Sequence, residues 1–434
     1  MLGRDDRTAP PHPRDPVTSP GRSLRILMLA PQPFFEPRGT PFSEYHRIRA
    51  LVELGHRVDL VTYPIGAGVD LPNLRIVRSA RLPFVRKIAI GPSAAKLGLD
   101  LLLAAKVLRV ARRGRYDAIH SHEETGLLGV WLSRKLGIPH LYDMHSSLPQ
   151  QLANFRYTRS TLLRSAFEAM ERRTVLGSRV VITICAELQD TVRQLGAGER
   201  AILIENVMGG DVEPVPGPGR DAVREAWGIA PDAAVALYTG TFEPYQGLDL
   251  LRDAAVRLAH SHPHARVLVV GGEPEQVATA REAAERAGAR MIFVGQRPPH
   301  EIPHFIEASD VLVSPRITGT NTPLKIYSYL RSGRPIVATD LLTHTQVLTA
   351  ETALLVPAEA GPFAEAVGRL FDEPALAARL ATCAAALARE RYSREAYVAR
   401  TRQAYERLMT PETPASLARP ASVSRRDAAG AESP

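Results

Sequence analysis

Short apolar strands alternate with helical segments along almost the whole chain, and nothing else in it restricts the fold so strongly. From Leu24 the order is a strand at Arg25 to Ala30, a helix from Pro41 to Leu54, a strand at Arg57 to Thr62, a basic helix, and a strand at Asp117 to His120. The pattern continues through Pro139 to Tyr142, Val180 to Ile184 and Ala201 to Ile204. Such Val, Ile and Leu runs suit parallel strands covered on both faces by crossover helices. Gly209 to Arg220, with three prolines and four glycines, breaks the series. A second series follows at Ala234 to Thr239, Arg266 to Val270, Met291 to Val294, Asp310 to Val313 and Ile336 to Thr339. The reading is an α/β protein of two doubly wound Rossmann-like domains facing a cleft, with ligands at the carboxyl ends of the strands. Expected divisions are a disordered tail at 1–22, an N-terminal domain at 23–208, a linker at 209–220, a C-terminal domain at 221–395, a final helix at 396–410 and a second disordered tail at 411–434.

The stretch from Ser314 to Thr339 is the richest in chemistry. It reads as a strand end, a polar loop, a helix, a Gly333 stop and a new strand. Thr322 is placed to cap the helix and Pro323 suits its first position, so backbone N–H groups around Asn321 to Leu324 would face an anion in the loop. Arg316 and Lys325 flank that loop and predict a phosphate cradle. The plainer alternative is an ordinary strand, loop and helix joint carrying two solvated cations.

Composition narrows the class. The two cysteines, Cys185 and Cys383, form no Cys-x-x-Cys pair, which argues for a reducing compartment and against a cysteine-held metal. The first residues lack an apolar core of the signal-peptide kind, and charges interrupt every long apolar run, so no membrane span is expected. The net charge of +8 is concentrated between Arg75 and Arg115, where eleven basic residues face Asp100 alone. There Lys106, Arg109 and Arg113 share one helical face, and Leu99, Leu103, Val107 and Val110 share another. The segment is either a solvated outer helix or a contact for anionic lipid headgroups at the inner face of the plasma membrane, with the rest of the chain cytoplasmic. Nucleic acid is disfavoured, because few aromatics accompany the basic run.

Missing motifs exclude other chemistry. The first strand runs into Pro31 to Gly39 instead of a G-x-G-x-x-G turn, which disfavours a dinucleotide oxidoreductase. There is no Walker loop, no G-x-S-x-G elbow and no D-x-D pair to hold a metal on a diphosphate. Phosphate charge must then be met by backbone amides and side-chain cations.

Several segments in order carry a family likeness: Arg25 to Tyr63 with Gly39-Thr-Pro and Leu54-Gly-His, Tyr116-Asp-Ala-Ile-His-Ser-His122, Tyr142-Asp-Met-His145, Glu205-Asn206, Tyr238-Thr-Gly240 and Pro323 to Thr339. Over about 24 to 408 the chain resembles the retaining glycosyltransferases of family 4, which have the GT-B architecture. The resemblance implies sugar transfer from a nucleotide-sugar donor on the C-terminal domain to a glycan or lipid-linked acceptor on the N-terminal one, without a cofactor or required metal. It implies that His145 hydrogen-bonds the donor sugar or acceptor, that His122 is more architectural, and that Gly39, Thr40 and Asn206 line the acceptor side. The same likeness puts Gly240 in the cleft.

The departures are equally specific. Where many members carry two glutamates eight positions apart, Thr320 and Ser328 stand here, and an arginine and lysine that bind the diphosphate are replaced by Thr241 and Gln246. Lys325 and Arg316 would then supply the lost positive charge, with Glu243 in place of a lost carboxylate and Thr322 and Leu324 completing the donor loop. The likeness thus implies a metal-independent glycosyltransferase of cell-envelope polysaccharide or glycolipid synthesis. Two other readings stay open: a glycosyltransferase-like binding or scaffold subunit, and an epimerase or phosphorylase on the same double-Rossmann plan.

Overall fold

The computed structural model describes residues 22–36, 39–83, 85, 94–147, 149, 161–206 and 217–411. The two expected tails, Arg22 and Pro411 apart, and most of the expected linker lie outside these residues. The first sheet is wholly parallel and contains β1 (Arg25–Ala30), β2 (Arg57–Thr62), β3 (Leu74–Arg78), β4 (Ala118–His122), β5 (His140–Met144), β6 (Val180–Thr183) and β7 (Ala201–Leu203). Its spatial order is β3-β2-β1-β4-β5-β6-β7. The second sheet contains β8 (Val235–Thr239), β9 (Arg266–Val270), β10 (Met291–Gly295), β11 (Val311–Ser314), β12 (Ile336–Thr339) and β13 (Leu354–Val356), ordered β10-β9-β8-β11-β12-β13. Each sheet therefore reverses its winding once, between β1 and β4 and between β8 and β11, and a crevice opens at the carboxyl ends there.

Strand alternation explains the double-sided burial. In β1, Ile26 and Met28 join one core while Leu27 and Leu29 join the core on the opposite face, and all four are fully buried. In β8, Val235 and Leu237 face one layer and Ala236 and Tyr238 the other. The basic helix (Ala94–Arg113) seats Leu99, Leu103, Val107 and Val110 against the second face of the first sheet.

Four features differ from the expectation. β3 and β13 are strands that the sequence pattern does not predict, because β3 is interrupted by Arg75 and Arg78 and β13 has only three residues. The first helix runs Gly39–Glu53, two residues earlier than expected, since Gly39 takes a positive φ of 54° that opens it. Arg220 already begins a helix (Arg220–Ala226). The final helix, Arg394–Met409, starts earlier than 396, with Ser393 Oγ accepting from the Ala396 amide as its cap.

The apolar face of that final helix packs on the first domain, although the second domain precedes it in the chain. Tyr397, Val398, Ala404, Tyr405 and Leu408 are buried in the N-terminal core beside Ile26, Met28 and Ile48. Each large apolar side chain buried this way contributes about 1.5–3 kcal/mol, so the chain end fastens the first domain after the second is complete.

Candidate active site

The donor segments named from the sequence meet at the winding reversal of the second sheet. Gly240 to Gln246 follow β8 and Pro315 to Leu324 follow β11, and the two loops are joined by Ile317 N donating to Tyr245 O at 3.0 Å. Close approach sets their glycines: a Cβ on Gly247, at φ +76°, would lie 1.9 Å from Pro315 O, and one on Gly271 would lie 1.9 Å from Gly240 O. The Lys325 ammonium lies 3.8 Å from the centroid of the Tyr238 ring, and a Cβ on Gly240 would be 3.1 Å from it. Lys325 Nζ is buried and donates to no acceptor among the described residues. Burial and the neighbouring Arg316 hold its pKa well below the usual lysine range. Arg316 is buried too, its guanidinium 5.0 Å from the Tyr245 ring, and its Nη1 donates to Asn321 O at 2.6 Å and Thr343 Oγ1 at 2.7 Å.

The loop helix corrects one expectation. It spans only Lys325–Arg331, Leu324 precedes it in helical conformation, and Thr322 does not cap it. Thr322 Oγ1 is buried without meeting a helix amide, and the helix starts only at Lys325, behind a turn in which Ile326 N donates to Pro323 O. So short a helix has a small end charge, and the burden of binding an anion moves to the two side-chain cations. Pro323 still starts the turn. Ser328 sits within the helix, Thr320 presents its carbonyl to Gln346 Nε2 at 2.6 Å, and Thr241 receives the Tyr238 hydroxyl on its carbonyl at 2.7 Å. Gln246 is buried with Oε1 unpaired among the described residues, and Glu243 precedes the short turn Pro244–Gln246.

At the reversal of the first sheet, strand period sets a polar cluster on one face. His120 and His122 alternate along β4, Asp143 lies opposite His122 on β5, and His145 follows β5. His122 Nδ1 meets His145 Nε2 at 3.1 Å, and His145 Nε2 is 3.4 Å from Asp143 Oδ1. Arg47 Nε donates to Asp143 Oδ2 at 3.0 Å, and both side chains are essentially fully buried. The final helix completes the cluster: Arg47 Nη1 donates to Thr401 Oγ1 at 2.9 Å, and Tyr405 OH hydrogen-bonds His120 Nδ1 at 2.8 Å. Burial alone would raise the Asp143 carboxyl, but Arg47, with help from His145, holds it well below the carboxylate range. Burial lowers His145 to about 4 and keeps it neutral. Atoms of His120, His122 and Asp143 lie within 4.8 Å of one another, spacing a metal could use, yet Arg47 already neutralises the ionised carboxylate.

Glu123 follows β4 with an uncommon φ of +47° and accepts from Ser146 Oγ at 2.8 Å; burial and Glu124 push its pKa up to about 7. Glu44 on the first helix is fully buried with a raised pKa from burial and from Glu123. Of the acceptor-side residues, His122 is in this cluster, and Gly39 and Thr40 open the helix that carries Glu44. Asn206 is not with them: it follows β7, three strands from β4.

The two halves touch. Asn321 Nδ2 donates to His145 O at 2.9 Å, and Gln346 Oε1 accepts from the Glu187 amide at 3.1 Å. His145 and the donor loop therefore meet where the two domains touch. Glu44, Arg47, Asp143, Glu123, Thr343, Gln346, Thr401 and Tyr405 were not singled out from the sequence. Period-two spacing in Tyr142-Asp-Met-His145 could have flagged Asp143; the others carry no local signal.

Residues 45–206 match the glycosyl transferase 4-like domain, and residues 233–373 match the glycosyl transferases group 1 family. The chain belongs to the family 4 glycosyltransferases. This glycosyltransferase is 26% identical over 314 residues to a D-inositol 3-phosphate glycosyltransferase of Streptomyces bingchenggensis, covering 69% of this chain and 68% of that one. It is 24% identical over 395 residues to a phosphatidyl-myo-inositol mannosyltransferase of Mycobacterium leprae, covering 89% and 98%. The crystal structure of Anabaena HepE with UDP and glucose superposes with a TM-score of 0.69 at 19% identity, over 89% of this glycosyltransferase and 99% of that chain, a likeness of GT-B fold.

Proposed function

We propose that this glycosyltransferase moves a sugar from a nucleotide-sugar donor to a glycan or lipid-linked acceptor with retention of configuration, in the synthesis of cell-envelope polysaccharide or glycolipid. The observation that carries the reading is the Lys325 ammonium, buried at the winding reversal of the second sheet and without an acceptor among the described residues. Burial and Arg316 disfavour the charged form of Lys325 in the empty site, and a diphosphate seated against Lys325 and Arg316 supplies the counter-charge that restores it. Lys325 Nζ and Arg316 Nε are buried without a hydrogen-bond partner among the described residues, while Arg316 Nη1 is held by Asn321 O and Thr343 Oγ1, so each cation keeps a donor for an anionic ligand. Negative charge grows on the bridging phosphate oxygen as the glycosidic bond breaks, and preorganised donors aimed there lower the barrier. Arg316 and Lys325 take that role, His145 accepts or donates a hydrogen bond at the sugar or acceptor from across the cleft, and the leaving phosphate takes the acceptor's proton from the same face. No step needs a metal on the diphosphate.

Thermal-shift measurements with UDP, GDP, ADP and their sugar conjugates test the reading. One nucleotide is expected to raise the melting temperature in proportion to RT ln(1 + [L]/Kd), near 2.7 kcal/mol at about 100 times Kd. No shift with any nucleotide, together with no transfer to glycan or lipid acceptors, would sink it. Thr241, Gln246, Thr320 and Ser328 motivate a second reading as a binding subunit, for which nucleotide binding without transfer or hydrolysis is the outcome.

The acceptor side supports a contact with an anionic membrane surface. Among the described residues no helix is long and apolar enough to cross a membrane. On the basic helix, however, Leu97 and Leu101 are 65% and 68% exposed, and Arg109, Arg112 and Arg113 continue outward along it. Not every basic residue of 75–115 is available: Arg75 pairs with Asp59, Arg78 donates to the carbonyls of Phe34, Ile65 and Ala67, and Lys96 pairs with Glu124. Arg86 and Lys87 lie outside the described residues. Flotation with vesicles containing anionic lipid is expected to recover the protein, and Leu97→Ser with Leu101→Ser to reduce it. Equal recovery on neutral and anionic vesicles removes the contact with anionic headgroups.

A further inference from the structure

We infer that Asn321 is a positioning residue that yokes the donor loop to the backbone of His145, so that seating the donor and setting the histidine are one event. This rests on the donor-site reading above. Asn321 is used at both ends. Its side-chain amide donates to His145 O at 2.9 Å, across the interdomain cleft. Its side-chain oxygen faces the Cys185 thiol of the N-terminal domain at 3.7 Å. Its backbone carbonyl takes Arg316 Nη1 at 2.6 Å and Thr343 Oγ1 at 2.6 Å. One residue thus stands between the arginine assigned to the diphosphate and the histidine assigned to the sugar.

The neighbouring residue repeats the tie. Thr320 O accepts from Gln346 Nε2, and the same carboxamide accepts the Glu187 amide of the N-terminal domain with its oxygen. Two consecutive loop residues are therefore fastened across the cleft, one directly and one through a glutamine. When a diphosphate draws Arg316 toward itself, the loop carbonyl that Arg316 holds moves with it, and the amide at the other end carries that movement to His145. The linkage needs a donor at the tip of residue 321. Aspartate has the same shape but offers a carbonyl no proton, whereas a residue that only filled space would tolerate it.

The test uses the full chain with Asn321→Asp and Asn321→Ala. Both are expected to lower kcat by about 10²-fold, the scale of a misplaced reacting group, while donor KM in Asn321→Ala stays within about threefold of wild type. A second measurement does not depend on activity: spin labels at exposed Asp190 and Asp249, each replaced by cysteine in a Cys383→Ser background, report the interdomain distance. A narrow wild-type distribution that broadens in both variants supports the yoke. Wild-type kcat in Asn321→Asp, or an unchanged distance distribution in both variants, overturns it. If the wild-type chain transfers no sugar from any donor, the donor-site reading has failed and the distance measurement alone decides whether Asn321 couples the domains.

Discussion

Lys325→Ala is expected to lower turnover by about 10²- to 10³-fold, the usual loss for one well-aimed donor at a developing oxyanion, while leaving the melting temperature near that of wild type. The two outcomes separate because the ammonium makes no hydrogen bond among the described residues and lies against the Tyr238 ring, so folding gains little from its charge. Lys325→Met, which keeps the packing and removes the charge, should show the same division. Proton linkage gives an independent check. Burial and Arg316 lower the pKa of Lys325 in the unliganded site, and a diphosphate beside it would raise that pKa. Between the two values binding takes up a proton, so nucleotide affinity falls as pH rises through that window and binding enthalpy varies with buffer ionisation. Wild-type turnover in both variants, at saturating and subsaturating donor, removes Lys325 from the mechanism.

Breaking the pair between Arg47 and Asp143 has the largest expected effect on stability. Both groups are buried, and removal of one partner leaves the other charged and uncompensated, at a cost of about 3 to 5 kcal/mol. Arg47→Leu or Asp143→Ala should therefore lower the melting transition of the N-terminal domain by roughly 10 °C. The double variant should lose less than the sum, because no lone charge remains. Since Arg47 also donates to Thr401 and Tyr405 reaches His120, hydrogen exchange should rise along Arg394–Met409 in each single variant. The sign with pH follows from the lowered carboxyl. Folded Asp143 titrates below its unfolded value near 3.9, so its contribution is complete above that value and is withdrawn as the pH falls through the folded pKa. Wild-type melting and exchange in Arg47→Leu would show that the pair does not secure the final helix.

Both effects turn on groups whose importance the sequence shows unevenly. Lys325 stands in a readable strand, loop and helix segment, and its place in a phosphate-facing loop follows from that order. Its isolation does not, because only the approach of Gly240 and Tyr238 removes the ammonium from water. Thr322 shows the opposite failure: a good capping residue precedes a proline, yet the helix starts later and leaves the hydroxyl inside.

The two alternating series, the family and the position of the donor loop are all legible along the chain. These follow from contiguous patterns, since strand period and turn residues act between neighbours. Tertiary structure alone decided that the last helix closes the first domain, that Arg47 finds Asp143 96 positions away and Thr401 354 positions away, and that Asn321 meets His145. The physical reason is desolvation. What a charge or an amide requires depends on which distant surfaces exclude water around it, and packing sets that rather than any local run of residues.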